Sequence, residues 1–138
     1  MPLWKLYYHI VWATVDRQPI ITPTREAALY RYVKDKSHAL ESILHAVNGT
    51  DNHIHLIVSI PPKCAIANYV KHIKGGSSRH INRDLSSEGS VFAWQQEYAV
   101  FSMGQTQLDS AIAYVQHQKL HHAQGTLISA LEPTPNFP

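Results

Sequence analysis

Apolar positions along this chain follow two periods, and each change of period marks a predicted element. The stretch "LWKLYYHIVWATV" (3–15) is dense in aromatic and β-branched residues and predicts a strand. "DRQPIITP" follows as a loop with two prolines. "TREAALYRYVKDKSHALES" (24–42) predicts a helix capped by Thr24, with Leu29, Tyr32, Val33 and Leu40 approximating one apolar stripe. "ILHAVNG" is a short strand, and "NGTDN" is a tight turn of residues that tolerate left-handed or side-chain-bonded backbone. "HIHLIVSI" is the next strand, closed by Pro61 and Pro62. Ile66, Val70 and Ile73 keep helical spacing through "CAIANYVKHIKGGSSRHINRDL" (64–85), with Gly75 and Gly76 a bend or weak point. After the loop "SSEGS", "VFAWQQEYAVFSM" (91–103) reads as one strand with room for a bulge. "TQLDSAIAYVQHQKLHHA" (106–123) predicts a last helix. There Thr106 and Asp109 stand in capping-box spacing, and Ile112, Val115 and Leu120 share an apolar side. The stretch "EPTPNFP", with three prolines, predicts a trailing tail over about 124–138.

The order is β-α-β-β-α-β plus a C-terminal helix. It matches the ferredoxin-like, split βαβ plan: an α+β fold with an antiparallel sheet and two helices on one face. That fold hosts many functions and licenses none by itself. A length of 138 residues favours one domain spanning 1–138. Hydrophobic content of 44% and charged content of 16% describe a globular chain rather than a disordered one. No apolar run approaches the roughly 20 residues needed to span a bilayer, so no membrane is expected. The N-terminus alternates too strongly for a signal peptide and lacks a small-residue cleavage site after it. Cys64 is the single cysteine, which excludes a disulfide framework and a multi-cysteine zinc site. A cytoplasmic location is the expectation.

A net charge of +2 does not announce a nucleic-acid binder. The distribution says more: Lys63, Lys71, Lys74, Arg79 and Arg83 follow one another with no acid until Asp84. Such a run suits either a solvated helix face or a phosphate-contacting surface, and it does not choose between them alone.

His53 and His55 raise a sharper question. On a strand, residues i and i+2 share a face, so the two imidazoles project together, about 6 to 7 Å apart at Cα, while Ile54 and Leu56 face the other way. That spacing on rigid backbone can chelate a metal ion, and it equally suits two hydrated edge histidines. A histidine-triad hydrolase would want a third alternating histidine, where Ile57 stands, and no His-Glu-x-x-His motif is present. On the last helix Tyr114 and Gln118 are four apart and share a face, and the Gln118 amide oxygen is a hard ligand in type. Their ordinary fates are a half-buried aromatic and a solvent-facing helix former, and spacing alone leaves both readings open.

Four blocks, "DNHIHLIVSIPP", "VKHIKGGSSRHIN", "WQQEYAVFSMG" and "YVQHQKLHH", occur in an order and spacing that resemble the single-tyrosine HUH transposases of the insertion-sequence 200/605 type. The opening "LYYHIVWATVDRQPII" is also similar, so the resemblance spans about residues 3–123, nearly the whole chain. One His-hydrophobe-His is a weak signal, whereas four ordered blocks are strong. The resemblance implies a DNA-cleaving transposase in which His53 and His55 bind a divalent metal, Mg²⁺ or Mn²⁺. It implies Tyr114 as nucleophile and Gln118 as the residue completing the metal site. All four positions match the family pattern.

Those groups suit strand cleavage and rejoining without ATP. Tyrosine attack on phosphorus keeps the phosphodiester's energy in a 5′-phosphotyrosine and leaves a 3′-hydroxyl able to reverse the step. The resemblance further implies single-stranded DNA carrying a hairpin as partner, met by Lys71, Lys74, Arg79 and Arg83 on a basic second helix. It also implies a homodimer in which the last helix of one subunit serves the histidine floor of the other. Trp94 and Tyr98 are aromatic enough to stack on bases or simply to pack. His117, His121 and His122 flank the site and suit either phosphate contact or a solvated helix end. A relative that binds hairpin nucleic acid without cutting it is the competing class.

Overall fold

The computed structural model describes residues 3–118, so His121, His122 and the proline-rich tail lie outside the described residues. Four strands and three helices alternate along it: β1 (Tyr7–Ala13), α1 (Pro23–Ala39), β2 (Ile43–Gly49), β3 (His53–Ser59), α2 (Ile66–Asp84), β4 (Ala99–Met103) and α3 (Gln105–Gln116). The strands form one antiparallel sheet in the order β2-β3-β1-β4. Each helical crossover therefore skips a strand, which is the split βαβ plan expected.

Alternation on the central strands divides the sheet into two faces. Ile10 and Trp12 of β1 and Ile54, Leu56 and Val58 of β3 point to one side. There they meet Leu29 and Val33 of α1 and Tyr69, Val70, Ile73 and Ile81 of α2 in the main core. A fully buried side chain of this kind contributes about 1.5–3 kcal/mol, so this layer supplies most of the stabilisation. The opposite side carries His9, His53, His55 and Ile57. Helix α3 covers it with a smaller apolar cluster, in which Ala111 and Val115 pack on Ala46 and Ile57, flanked by Met103, Leu108 and Ile112.

Several local expectations are corrected. Helix α1 begins one residue earlier, at Pro23, and Thr22 caps it in place of Thr24 by accepting the Arg25 N–H at 3.3 Å. Proline fits that first turn because its missing N–H has no partner there and its φ is already helical. Helix α2 runs unbroken through Gly75 and Gly76. A Cβ on Gly76 would overlap the Tyr32 hydroxyl of α1, so this glycine serves close helix packing rather than a bend, whereas a Cβ on Gly75 meets nothing within 4 Å. Helix α3 starts at Gln105, and the expected box of Thr106 with Asp109 gives way to a single cap bond in which Gln107 Oε1 accepts the Gly104 N–H at 3.0 Å.

The largest difference concerns 91–103, of which only Ala99–Met103 is a strand. Before it, side chains take over the hydrogen bonds a ladder would make. Asn82 accepts the Phe92 N–H at 2.7 Å and donates to the Phe92 carbonyl at 2.8 Å. Lys74 donates to the carbonyls of Gln95 (2.6 Å) and Glu97 (3.3 Å). One isolated bridge, Thr14 to Trp94, is all that remains of the pairing.

Candidate active site

The site is built on the second face. Strand β3 turns His53 and His55 toward α3, with ring centroids 5.1 Å apart and planes at 68°. Both are buried. The expected projection to one face is therefore observed, but beneath a helix rather than at a hydrated edge. Helix α3 sets the Tyr114 ring edge-on to His55, centroids 6.5 Å apart at 72°. Tyr114 and Gln118 are both buried, which removes the half-exposed and solvent-facing fates that spacing had left open. A pocket of about 260 Å³, lined by His9, Phe101, Met103, Gln107, Ser110 and Tyr114 among others, gives the tyrosine access from the side of β4.

Each histidine has a partner behind it. His53 Nδ1 lies 2.8 Å from Asn52 Oδ1 and 2.9 Å from Thr50 Oγ1, both on the turn that leads into β3. His55 Nδ1 lies 2.8 Å from Nε2 of His9, and those rings stack at 26° with centroids 5.1 Å apart. With both Nδ1 atoms so engaged, an ion would meet the rings at Nε2. Two neutral imidazoles and an amide oxygen form a donor set that suits a divalent ion, with oxygens from substrate filling the remaining positions. Among the described residues, no group of three or more His, Cys, Asp or Glu side chains gathers as a metal site.

Asn48 anchors the far end of the helix. It pairs with His55 across β2 and β3, and its amide donates to the Gln116 carbonyl at 3.0 Å. Sequence reasoning treated Asn48 and Asn52 as turn residues and passed over His9. Only the register of β1 against β3 reveals that His9 shares the face of His55.

The basic residues lie elsewhere. Helix α2 packs on the main core, across the sheet from the histidines. Lys71, Arg79 and Arg83 are exposed on it, and their spacing of eight and then four puts them along one stripe with Gly75 between. Arg83 donates to Asp84 through Nε at 2.9 Å, a bond that holds the exposed Asp84 carboxyl below its usual range. Lys74 stands apart, half-buried with its ammonium on two backbone carbonyls and 6.0 Å from the Trp12 ring. Burial pulls its pKa below the ordinary lysine value, while nearby Glu97 opposes that shift. Lys71, Lys74, Gly75, Gln96 and Tyr98 border a groove of about 350 Å³. Trp94 takes the packing role, edge-on to Trp12 and Phe92, with its Nε1–H donating to Ser77 Oγ at 3.0 Å. His117, exposed at the helix end, has Nδ1 2.8 Å from the Ala113 carbonyl oxygen.

Comparison with known proteins bears on the family and the fold. A family model described as transposase, IS200-like, matches residues 2–118. The ISDra2 transposase TnpA of Deinococcus radiodurans is 30% identical over 81 residues. That match spans 57% of this chain and 56% of the relative, little more than half of its length. A solved transposase structure from Deinococcus radiodurans superposes with a TM-score of 0.68 at 22% identity, covering 85% of this chain and 93% of that one. A REP-associated tyrosine transposase, solved bound to a REP hairpin, superposes with a TM-score of 0.66 at 12% identity, covering 88% and 74%. At such identities the two structures speak for the fold. No described helix is long and apolar enough to cross a membrane.

Proposed function

This chain belongs to the IS200-like transposases, enzymes of DNA transposition that cut and transfer strands, and we propose that it works by tyrosine chemistry on single-stranded DNA at the hairpin-bearing ends of an insertion sequence. One observation carries the reading: one sheet face holds three buried imidazoles, His9, His53 and His55, with the buried Tyr114 ring 6.5 Å from that of His55.

In this reading Tyr114 Oη attacks the scissile phosphorus. A P–O bond to tyrosine forms, the P–O3′ bond breaks, and the phenolic proton passes through solvent to the departing 3′ oxygen. The products are a 5′-phosphotyrosine and a free 3′-hydroxyl, which can attack in turn to rejoin the strand. A phenol with an ordinary pKa near 10 is a poor nucleophile at neutral pH, so the phosphate has to be made the better target. Bound Mg²⁺ or Mn²⁺ would supply that by polarising the phosphate and stabilising charge on the leaving oxygen. His53 and His55 would hold the ion through Nε2, with the Gln118 amide oxygen beside them.

For DNA binding we assign the phosphates of the hairpin to the exposed stripe of Lys71, Arg79 and Arg83 on α2. Lys74 then contributes by fixing segment 95–97, whose Gln96 and the neighbouring Tyr98 border the same groove. The hairpin-bound state of one structural neighbour supports this class of partner.

The proposed assembly is a homodimer that shares its sites through α3. In the described chain Tyr114 stands over its own His55. Moving α3 onto a partner's sheet reproduces the same contacts there, so such an exchange costs little beyond opening. The small apolar cluster beneath α3 keeps that opening modest.

Incubation of the protein with Mn²⁺ and a single-stranded element end bearing its hairpin tests the reaction. A covalent protein–DNA adduct that EDTA prevents is the expected result. Hairpin binding without any adduct would instead identify a non-cutting relative.

A further inference from the structure

Resting on the reading of His53 and His55 as metal ligands, we propose that His9 is a positioning residue that fixes the tautomer and orientation of His55. The placement begins with strand register. On β1, His9 pairs with Ile57, so His55 is its diagonal neighbour on the same face, within reach of an aromatic side chain. The two rings are within 1% of complete burial and stack at 26°, and His9 Nε2 lies 2.8 Å from His55 Nδ1. Phe101 supports the outer side of His9, its ring centroid 6.1 Å away.

A histidine that binds a cation through Nε2 must carry its proton on Nδ1. That N–H then donates to His9 Nε2, which has to be the acceptor, and the His9 proton sits on its own Nδ1. Buried from water, this bond holds the His55 ring in one rotation and makes its Nε2 more basic. His53 obtains the same service from the Asn52 amide oxygen at 2.8 Å. Each ligand thus has a separate acceptor behind it, one on the turn before β3 and one across the sheet on β1. A role in packing alone would need the ring of His9 but not its acceptor nitrogen, and that difference makes the proposal testable.

Two variants separate the roles. His9→Phe keeps an aromatic ring between His55 and Phe101 but removes the acceptor, whereas His9→Gln places an amide near the former Nε2. Mn²⁺ affinity of the purified, DNA-free protein is measured by titration calorimetry, with His53→Ala as the control that loses the ion. His9→Phe is expected to weaken Mn²⁺ binding about 10- to 100-fold, and His9→Gln to recover most of it. Wild-type affinity in a folded His9→Phe protein would overturn the proposal while leaving the metal site standing. No Mn²⁺ binding by the wild type would overturn the site and the proposal together. A second measurement needs no variant: imidazole nitrogen shifts of the metal-free wild type should report His55 protonated on Nδ1, and protonation on Nε2 would overturn the assignment of His9.

Discussion

Strand β3 is buried along its whole length, yet its two faces are made of different chemistry. Toward α1 and α2 it offers Ile54, Leu56 and Val58 to a core that includes Trp12, Leu29, Tyr69 and Ile73. Toward α3 it offers His53, His55 and Ile57, and the buried apolar cluster there shrinks to Ala46, Ile57, Ala111 and Val115. A period of two lets one strand serve both purposes without compromise, because neither set of residues intrudes on the other. The difference teaches that stability and chemistry are separated by the thickness of a sheet. The helix carrying the candidate nucleophile sits on the side with the smaller apolar cluster.

Subunit mixing would break or sharpen this contrast most strongly. Tyr114→Phe and His53→Ala protomers should each be inactive alone. When allowed to exchange subunits, they should regain cleavage, because a dimer with swapped α3 helices contains one doubly damaged site and one intact site. A mixture that stays inactive, with heterodimers shown to be present, would mean that α3 remains on its own sheet as in the described chain.

A smaller effect is expected from two neighbouring substitutions on β3. Leu56→Ala should lower unfolding stability by about 2–5 kcal/mol through lost contacts and a residual cavity, with cleavage per folded molecule little changed. His53→Ala should do the reverse, removing Mn²⁺-dependent cleavage while shifting the denaturation midpoint less than Leu56→Ala. Equal losses of stability from the two would contradict the division of the faces.

Much of this division was legible in the sequence because it follows from period alone. "HIHLIVSI" states both faces of β3, and "AYVQHQ" puts Tyr114 on the last helix, although α3 ends at Gln116 and Gln118 lies just past it, buried as well. What was hidden depends on partners distant in the chain. His9 is one histidine of ten, and only the pairing of β1 with β3 sets it against His55. The segment before β4 has strand-forming residues, but Asn82 and Lys74 satisfy its backbone from α2, and no local propensity reports that. Gly76 looked like a break because glycine is costly inside a helix, when its use is to admit Tyr32 of α1. The basic residues were found as a run, but the run mixed an exposed stripe with Lys74, which is turned inward.

The central claim is that the buried face assembles a tyrosine nucleophile over a histidine floor, and the most direct measurement locates the covalent bond itself. After reaction of the wild-type protein with Mn²⁺ and a single-stranded hairpin end, the adduct is digested with protease and nuclease, and the modified peptide is sequenced by mass spectrometry. The account predicts a 5′-phosphate ester on Tyr114, and a Tyr114→Phe protein that still binds the hairpin but forms no adduct. An adduct on any other tyrosine, or one that persists in the Tyr114→Phe protein, would contradict it.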